Sequence, residues 1–403
     1  MSTVYEQWFL NHLVCLENPN YFLYTYTHYL LLLFKYINMK IIFQRDILLE
    51  NILYASRFSS SKLSSLITLQ GVLIKNEKGL IHFYSTNLSS YYHSSVKTEE
   101  KQAFEIVVEP KKLVEFISLL APGKLEIEVK EKQIVITQNK TRGEFPIMVS
   151  KDFPLPPTIE EKPQKIKTDF FIKNLPLILF STSSDESRPV LTGVNLVSQD
   201  EELLMVTTDG FRLSLLKLKK DIELPSMIIP SSFLSEAVSF LKDEEAVELS
   251  YSPKEKLISF KIGKYNLYSR LIEGEYPPFE KVIPADKKTI IETDKDELVR
   301  NIKLISIFAR DISNIVILQT TKEALQLKPK TEVGEHNSAQ QEAIIKGDEQ
   351  KIAFNYKFLL ELLNHLEGKK ITIELLRSDS PAVFKSDKNP NFIHIIMPVR
   401  IQE

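Results

Sequence analysis

Catalysis needs reactive groups at fixed spacing, and this chain offers few. Its seven histidines, His12, His28, His82, His93, His336, His365 and His394, lie far apart in sequence, and none belongs to an HExxH or similar zinc-binding pattern. Cys15 is the single cysteine, so there is no CxxC pair and no internal disulfide framework. One thiol in a long chain fits a reducing cytoplasm. No GxxxxGK[ST] or GxGxxG loop cradles a phosphate among the eleven glycines. Carboxylates are abundant but nothing nominates an acid–base pair. The Asp209-Gly210 dipeptide sits between apolar runs and reads as a hairpin turn, since both residue types tolerate positive φ. The sequence therefore predicts no catalytic centre, no metal and no cofactor.

What the residues do specify is a repeated scaffold. Three short helical segments, Pro110–Ile117, Pro230–Ala237 and Asn355–Leu362, each begin at a helix-start signal and place apolar residues on one face at three- and four-residue spacing. Each is followed by strand-like alternation: Lys124–Val129 with Gln133–Thr137, Ala246–Tyr251 with Leu257–Ile262, and Lys370–Leu375 with Ala382–Lys385. An earlier helical stretch opens each unit, at Arg45–Arg57, Thr168–Leu179 and Asp294–Arg310. In the first unit strands are expected at Lys40–Phe43, Leu69–Lys75 and Leu80–Ser85, with a polar loop at Ser59–Ser65. Three copies of one α+β domain, helices on one face of antiparallel sheets, form an array read by its surfaces. The proline-dense Phe153–Pro157 reads as an extended linker. The polar Lys330–Gln341 lacks periodicity and reads as a hairpin tip. Domain limits follow at 39–163, 164–286 and 287–403.

Residues 1–38 differ in kind. They hold the only tryptophan, Trp8, the only cysteine, and an apolar run from Tyr21 to Ile37 carrying one positive charge, Lys35. That run is short for a membrane span and contains Thr25, Thr27 and His28. No basic region precedes it and no small-residue cleavage site follows, so it is a poor signal peptide. The expectation is an upstream extension that is not the native start, with Met39 as first residue and no membrane partner. The whole chain, 403 residues with 43% hydrophobic and 26% charged, reads as soluble and globular. Its net charge of −2 means that any nucleic-acid contact must come from local placement of Lys and Arg.

Four segments suit binding: Glu186–Val194, Thr207–Ser214, Gly274–Pro284 and Ile395–Ile401. Alone, each has a plain structural reading; a proline in a terminal strand, for instance, usually marks a sheet edge. Together, SRPVLTG (187–193), TDG-x-RL (208–213), G-x-Y-P (274–277) and MP-x-R (397–400) resemble the bacterial DNA polymerase processivity factors, the β sliding clamps, from Met39 to Ile401. The resemblance implies a head-to-tail homodimer of six similar domains closed into a ring, with helices lining the hole. Such a ring encircles double-stranded DNA without reading sequence, and tethers the replicative polymerase, the clamp loader and other proteins that carry a short peptide. It performs no chemistry.

By the same resemblance Leu191, Thr208, Gly210, Phe211, Arg212, Leu213, Pro277, Val282, Ile395, Ile396, Met397, Pro398, Val399 and Arg400 form the peptide pocket between the second and third units. An apolar groove with an adaptable methionine suits leucine and phenylalanine anchors, and the arginines offer polar fixing points. Phosphate-directed cations are expected at Arg57, Lys62, Lys111, Lys112, Arg188, Arg300, Arg310 and Lys357. Phe145 and Phe308 are the expected apolar anchors of the dimer contact. Three departures stand out: Phe211 where a polar residue is common, Ser231-Ser232 where basic residues are common, and Pro189-Val190 in place of an aromatic pair. A rival reading is a clamp-like scaffold that gathers peptides without closing a ring; a stable dimer or a monomer separates the two.

Overall fold

The computed structural model describes residues 39–60, 66–242, 244–310, 313–330 and 337–400. It divides into two compact units, one ending at Pro156 and one beginning at Pro157.

In the first unit the chain runs β1 (Met39–Gln44), α1 (Arg45–Ser56), β2 (Val72–Glu77), β3 (Leu80–Thr86), β4 (Ser90–Lys97), β5 (Phe104–Val108), α2 (Pro110–Leu119), β6 (Lys124–Val129), β7 (Gln133–Gln138) and β8 (Thr141–Met148). The strands lie in the order β1-β6-β7-β8-β5-β2-β3-β4, every pairing antiparallel. The helices pack on each other against one face. Leu48, Ile52 and Ala55 of α1 and Leu113 and Ile117 of α2 are buried with Ile41, Phe83 and Ile127 from the strands. These positions follow the helical period of 3.6 and the strand period of 2. The strand expected from Leu69 starts at Val72, because Ile67–Gln70 form a short 3-10 turn. Phe153, at the start of the expected extended linker, is buried against Leu73 and Val107 and closes the core.

The second unit carries two copies of the same plan. The first comprises β9 (Gln164–Lys167), α3 (Thr168–Leu179), β10 (Gly193–Gln199), β11 (Glu202–Thr208), β12 (Arg212–Lys219), β13 (Met227–Pro230), α4 (Ser231–Val238), β14 (Ala246–Ser252), β15 (Leu257–Ile262) and β16 (Tyr265–Arg270). The second comprises β17 (Thr289–Asp294), α5 (Lys295–Ala309), β18 (Ile315–Thr320), β19 (Ala324–Pro329), β20 (Ala339–Gly347), β21 (Lys351–Asn355), α6 (Tyr356–His365), β22 (Lys370–Leu375), β23 (Ala382–Ser386) and β24 (Phe392–Ile396). Strands β16-β15-β14-β9 form one run, and a twelve-stranded antiparallel sheet runs β13-β10-β11-β12-β24-β23-β22-β17-β20-β19-β18-β21. The two copies are thus sewn together where β12 pairs with β24, Leu213 opposite Ile395. Strand β24 is interior and ends before Pro398, so the proline does not mark an edge. Ala339–Gln341, expected in a hairpin tip, belong to β20, and Gln341 is buried.

The repeat extends to individual hydrogen bonds. The first backbone N–H of α1, α3 and α5 donates to a carbonyl just before the repeat's sixth strand: Arg45 to Gly123, Thr168 to Glu245, Lys295 to Lys369. Asn51, Asn174 and Asn301 occupy the same position in those three helices. Asn51 is buried, donating to Ile47 O and accepting from Ser94 Oγ on β4 at 2.7 Å. Buried Asn301 donates to Gln341 Oε1 on β20 at 3.0 Å. Buried amides so placed fix helix register on the sheet, because a slip would leave them unpaired.

Candidate functional site: an apolar cleft at the β12–β24 seam

The hairpin between β11 and β12 builds one wall. Asp209 Oδ1 accepts the backbone N–H groups of Phe211 and Arg212, and only Gly210, at φ +93°, occupies the left-handed region. The aspartate thus acts as an Asx turn, not as a second positive-φ residue. Phe211 O accepts the Met397 N–H at 2.9 Å, which holds the chain leaving β24 against the hairpin. On the opposite wall Gly274, at φ +130°, lies so close to Val190 that a Cβ would sit 2.8 Å from its Cγ1. That approach brings the 187–193 and 274–279 segments together.

The result is a cleft of about 130 Å³ lined by Leu191, Thr208, Gly210, Phe211, Arg212, Leu213, Pro277, Pro278, Phe279, Val282, Ile395 and Met397. Its floor is continuous with a buried cluster of Leu204, Val206, Leu213, Leu215, Phe279, Val383 and Ile395. Phe211, 60% exposed, Val282 and Met397 stand open at its mouth. Rigid floor and exposed apolar rim are what an anchored peptide side chain needs.

Sequence reasoning missed Pro278 and Phe279. The signal was the apolar end of GEYPPF, but Phe279 lies in a 3-10 turn, where no periodicity marks a buried side chain. Ile396, Pro398, Val399 and Arg400 do not line the cleft. Ile396 alternates to the other face of β24 from Ile395 and is fully buried. Beyond Met397 the chain crosses to β21, where Val399 N–H donates to Ala353 O, and Arg400 is exposed.

Arg212, expected to offer a polar fixing point, lines the cleft but is only 8% exposed, and its guanidinium is held by the protein's own groups. Nε donates to Asp209 Oδ2 at 2.9 Å, Nη2 to Phe180 O at 2.7 Å, and Nη1 to Glu361 on α6. The group also lies over the rings of Phe358, at 4.6 Å, and Phe180, at 5.6 Å. Beside it Ser181, Thr207, Ser214 and His394 form a buried hydrogen-bonded chain, with Ser214 Oγ and His394 Nδ1 2.8 Å apart. Full burial, followed by the Arg212 charge, holds the His394 imidazole well below its ordinary pKa, so it stays neutral.

Six of the expected phosphate-directed cations lie on helices or directly follow them. Arg57 follows α1, Lys111 and Lys112 are exposed in the first turn of α2, Arg300 is exposed on α5, Arg310 follows it, and Lys357 is exposed on α6. Arg300 pairs with Glu297 at 3.2 Å. Arg188 lies instead beside the cleft, its Nε 3.1 Å from Asp185 and its Nη1 3.3 Å from where a Gly210 Cβ would be. Lys62 lies outside the described residues. Ser231 Oγ donates to Thr192 O at 2.6 Å, so the serine found where cations are common ties α4 to the 189–192 turn. Phe145 is half-buried on β8, edge-to-face with Phe116 at 5.3 Å, while Phe308 is 45% exposed on α5. No described helix is long and apolar enough to cross a membrane.

Three repeats of one α+β plan with an apolar cleft at a seam define a three-domain sliding clamp. Models of the DNA polymerase III beta subunit match the chain in order: the N-terminal domain at 39–157, the central domain at 165–278 and the C-terminal domain at 280–400. The chain belongs to the DNA polymerase III beta subunit family, whose members are non-catalytic. The beta sliding clamp of Bacillus subtilis is 29% identical over 380 residues, covering 90% of this chain and all of that protein. The crystal structure of the DNA polymerase sliding clamp from B. subtilis superposes with a TM-score of 0.81 at 28% identity, over 91% of this chain and all of that one. The Thermotoga maritima DNA polymerase III beta subunit reaches 0.83 at 22% identity, over 90% of this chain and all of that one.

Proposed function

We propose that this chain works as a head-to-tail homodimeric ring that encircles duplex DNA and tethers the replicative polymerase, the clamp loader and other DNA-processing proteins in the cytoplasm. Its contribution is topological. A partner held on an encircling ring rebinds DNA at high effective concentration, so processivity rises without base-specific contacts. The cations at Arg57, Lys62, Lys111, Lys112, Arg188, Arg300, Arg310 and Lys357 meet phosphates, a contact that is sequence-blind and therefore permits sliding. Phe145 and Phe308 belong to the dimer contact, and the domain limits are 39–163, 164–286 and 287–403.

The observation that carries the tethering half of this reading is the apolar cleft at the β12–β24 seam, with Leu191 in its floor and Met397 at its mouth. A fluorescent peptide of the Gln-Leu-x-Leu-Phe type tests it on the full chain. Binding in the micromolar range is expected, weakened at least about tenfold by Leu191→Ala combined with Met397→Ala, the loss typical of apolar anchor contacts. A folded parent protein that does not bind the peptide would remove the site assignment.

A further inference from the structure

We propose that Glu361, on α6 and outside the cleft, is a positioning residue that sets the cleft's hairpin wall through Arg212. The proposal rests on the peptide-binding reading above and deepens it. Three links connect the carboxylate to the wall. Glu361 accepts from Nη1 of Arg212. Arg212 donates from Nε to Asp209 Oδ2 at 2.9 Å. The other oxygen of Asp209 accepts the N–H groups of Phe211 and Arg212, at 2.8 and 3.0 Å, and so shapes the turn.

Thr208 closes the base of the same hairpin, its Oγ1 donating to Arg212 O at 2.6 Å and accepting the Gly210 N–H at 3.0 Å, so the Asp209 bonds are what shape the tip. Phe211 is largely exposed, and its backbone carbonyl holds Met397 against the hairpin. Phe211 and Met397 at the mouth therefore depend on where the turn sits. Arg212 is buried and permanently charged, and its two counter-ions help set its position alongside the Phe180 carbonyl. With Glu361 in place the guanidinium is spanned between α6 and the turn. Without it Asp209 is the sole carboxylate on that guanidinium, and the arginine and the turn relax together. The Glu361 side chain is itself about half exposed, and its replacement removes a charge-assisted hydrogen bond from a buried partner.

The test measures peptide affinity and dissociation rate on the full chain for the parent, Glu361→Gln, Glu361→Ala, Phe211→Ala and the Glu361→Gln/Phe211→Ala pair. Thermal midpoint and far-UV circular dichroism serve as folding controls. The expected result is a fivefold or greater loss for Glu361→Ala, mostly in dissociation rate, with Glu361→Gln intermediate because it retains an acceptor. The double variant should bind about as Phe211→Ala alone, since both changes act through one turn. A merely structural glutamate would instead lower the thermal midpoint and give additive effects on affinity. Additive losses, or a Glu361→Gln protein that binds like its parent, overturn the proposal. A parent protein that fails to bind the peptide overturns the underlying site reading instead.

Discussion

Arg212 illustrates how a residue type can be legible while its job is not. The TDG-x-RL motif placed an arginine at the cleft, and the side chain is there, yet it faces inward to two carboxylates and a carbonyl. Its helix partner lies 149 residues further along the chain, beyond any local pattern. Histidine chemistry was similarly hidden. His82 on β3 and His93 on β4 lie with Nδ1 and Nε2 3.0 Å apart, and Tyr84 stacks on His93 at 4.4 Å. Burial, aided by the His82 charge, lowers His93 to about 4 from its ordinary 6.5. Between those values the unfolded chain binds more protons than the folded one. Stability therefore falls as pH drops through this window and is fully present above it. His93→Gln should flatten that slope, the parent losing on the order of 2 kcal/mol more than the variant between pH 7 and pH 4. Urea midpoints of the first unit's transition across that range check it; parallel curves would mean the pair does not carry the effect.

Elements were the most legible scale. The opening helices and the strands after the second helices lie within a residue or two of their expected limits, because each shows one clean period. Strands β4 and β5 escaped notice: SYYHSSVK lacks a sustained polar alternation, and FEIVV is short. The Leu69–Gln70 turn and Gln341 went the other way, the first apolar but not strand, the second polar but buried. The equivalent asparagines of α1, α3 and α5 were in plain view at one helix position, yet a polar residue on an apolar face gains meaning only from its partner. Removing that partner should reveal it. Asn301→Ala leaves Gln341 short of a donor in the core and is expected to cost about 1–3 kcal/mol, and Asn51→Ala a similar amount. Asn174, half-buried and donating to Phe170 O, should cost less when changed to alanine. Chemical denaturation of the three variants measures the order; an equal cost at all three would break the argument from burial.

At the scale of the whole molecule the repeat and the four motifs pointed to the family, and the matched domains place the chain there. The cleft was legible as a set of segments, since its Gly, Pro and Asp turns stand out locally. Its assembly from a seam between β12 and β24 was not, because strand pairing across 180 residues leaves no sequence period. The central claim concerns topology, and a topological link has a signature that no surface contact shares. The decisive measurement loads the full chain with a clamp loader onto a nicked circular duplex, isolates the complex by gel filtration in high salt, and cuts the circle at a single site. The account predicts that the protein co-elutes with the circle and is released by the cut, since a ring slides off a free end while phosphate contacts are screened by salt. Equal retention on circular and linear DNA, or none on the circle despite a stable dimer and an active loader, would contradict it.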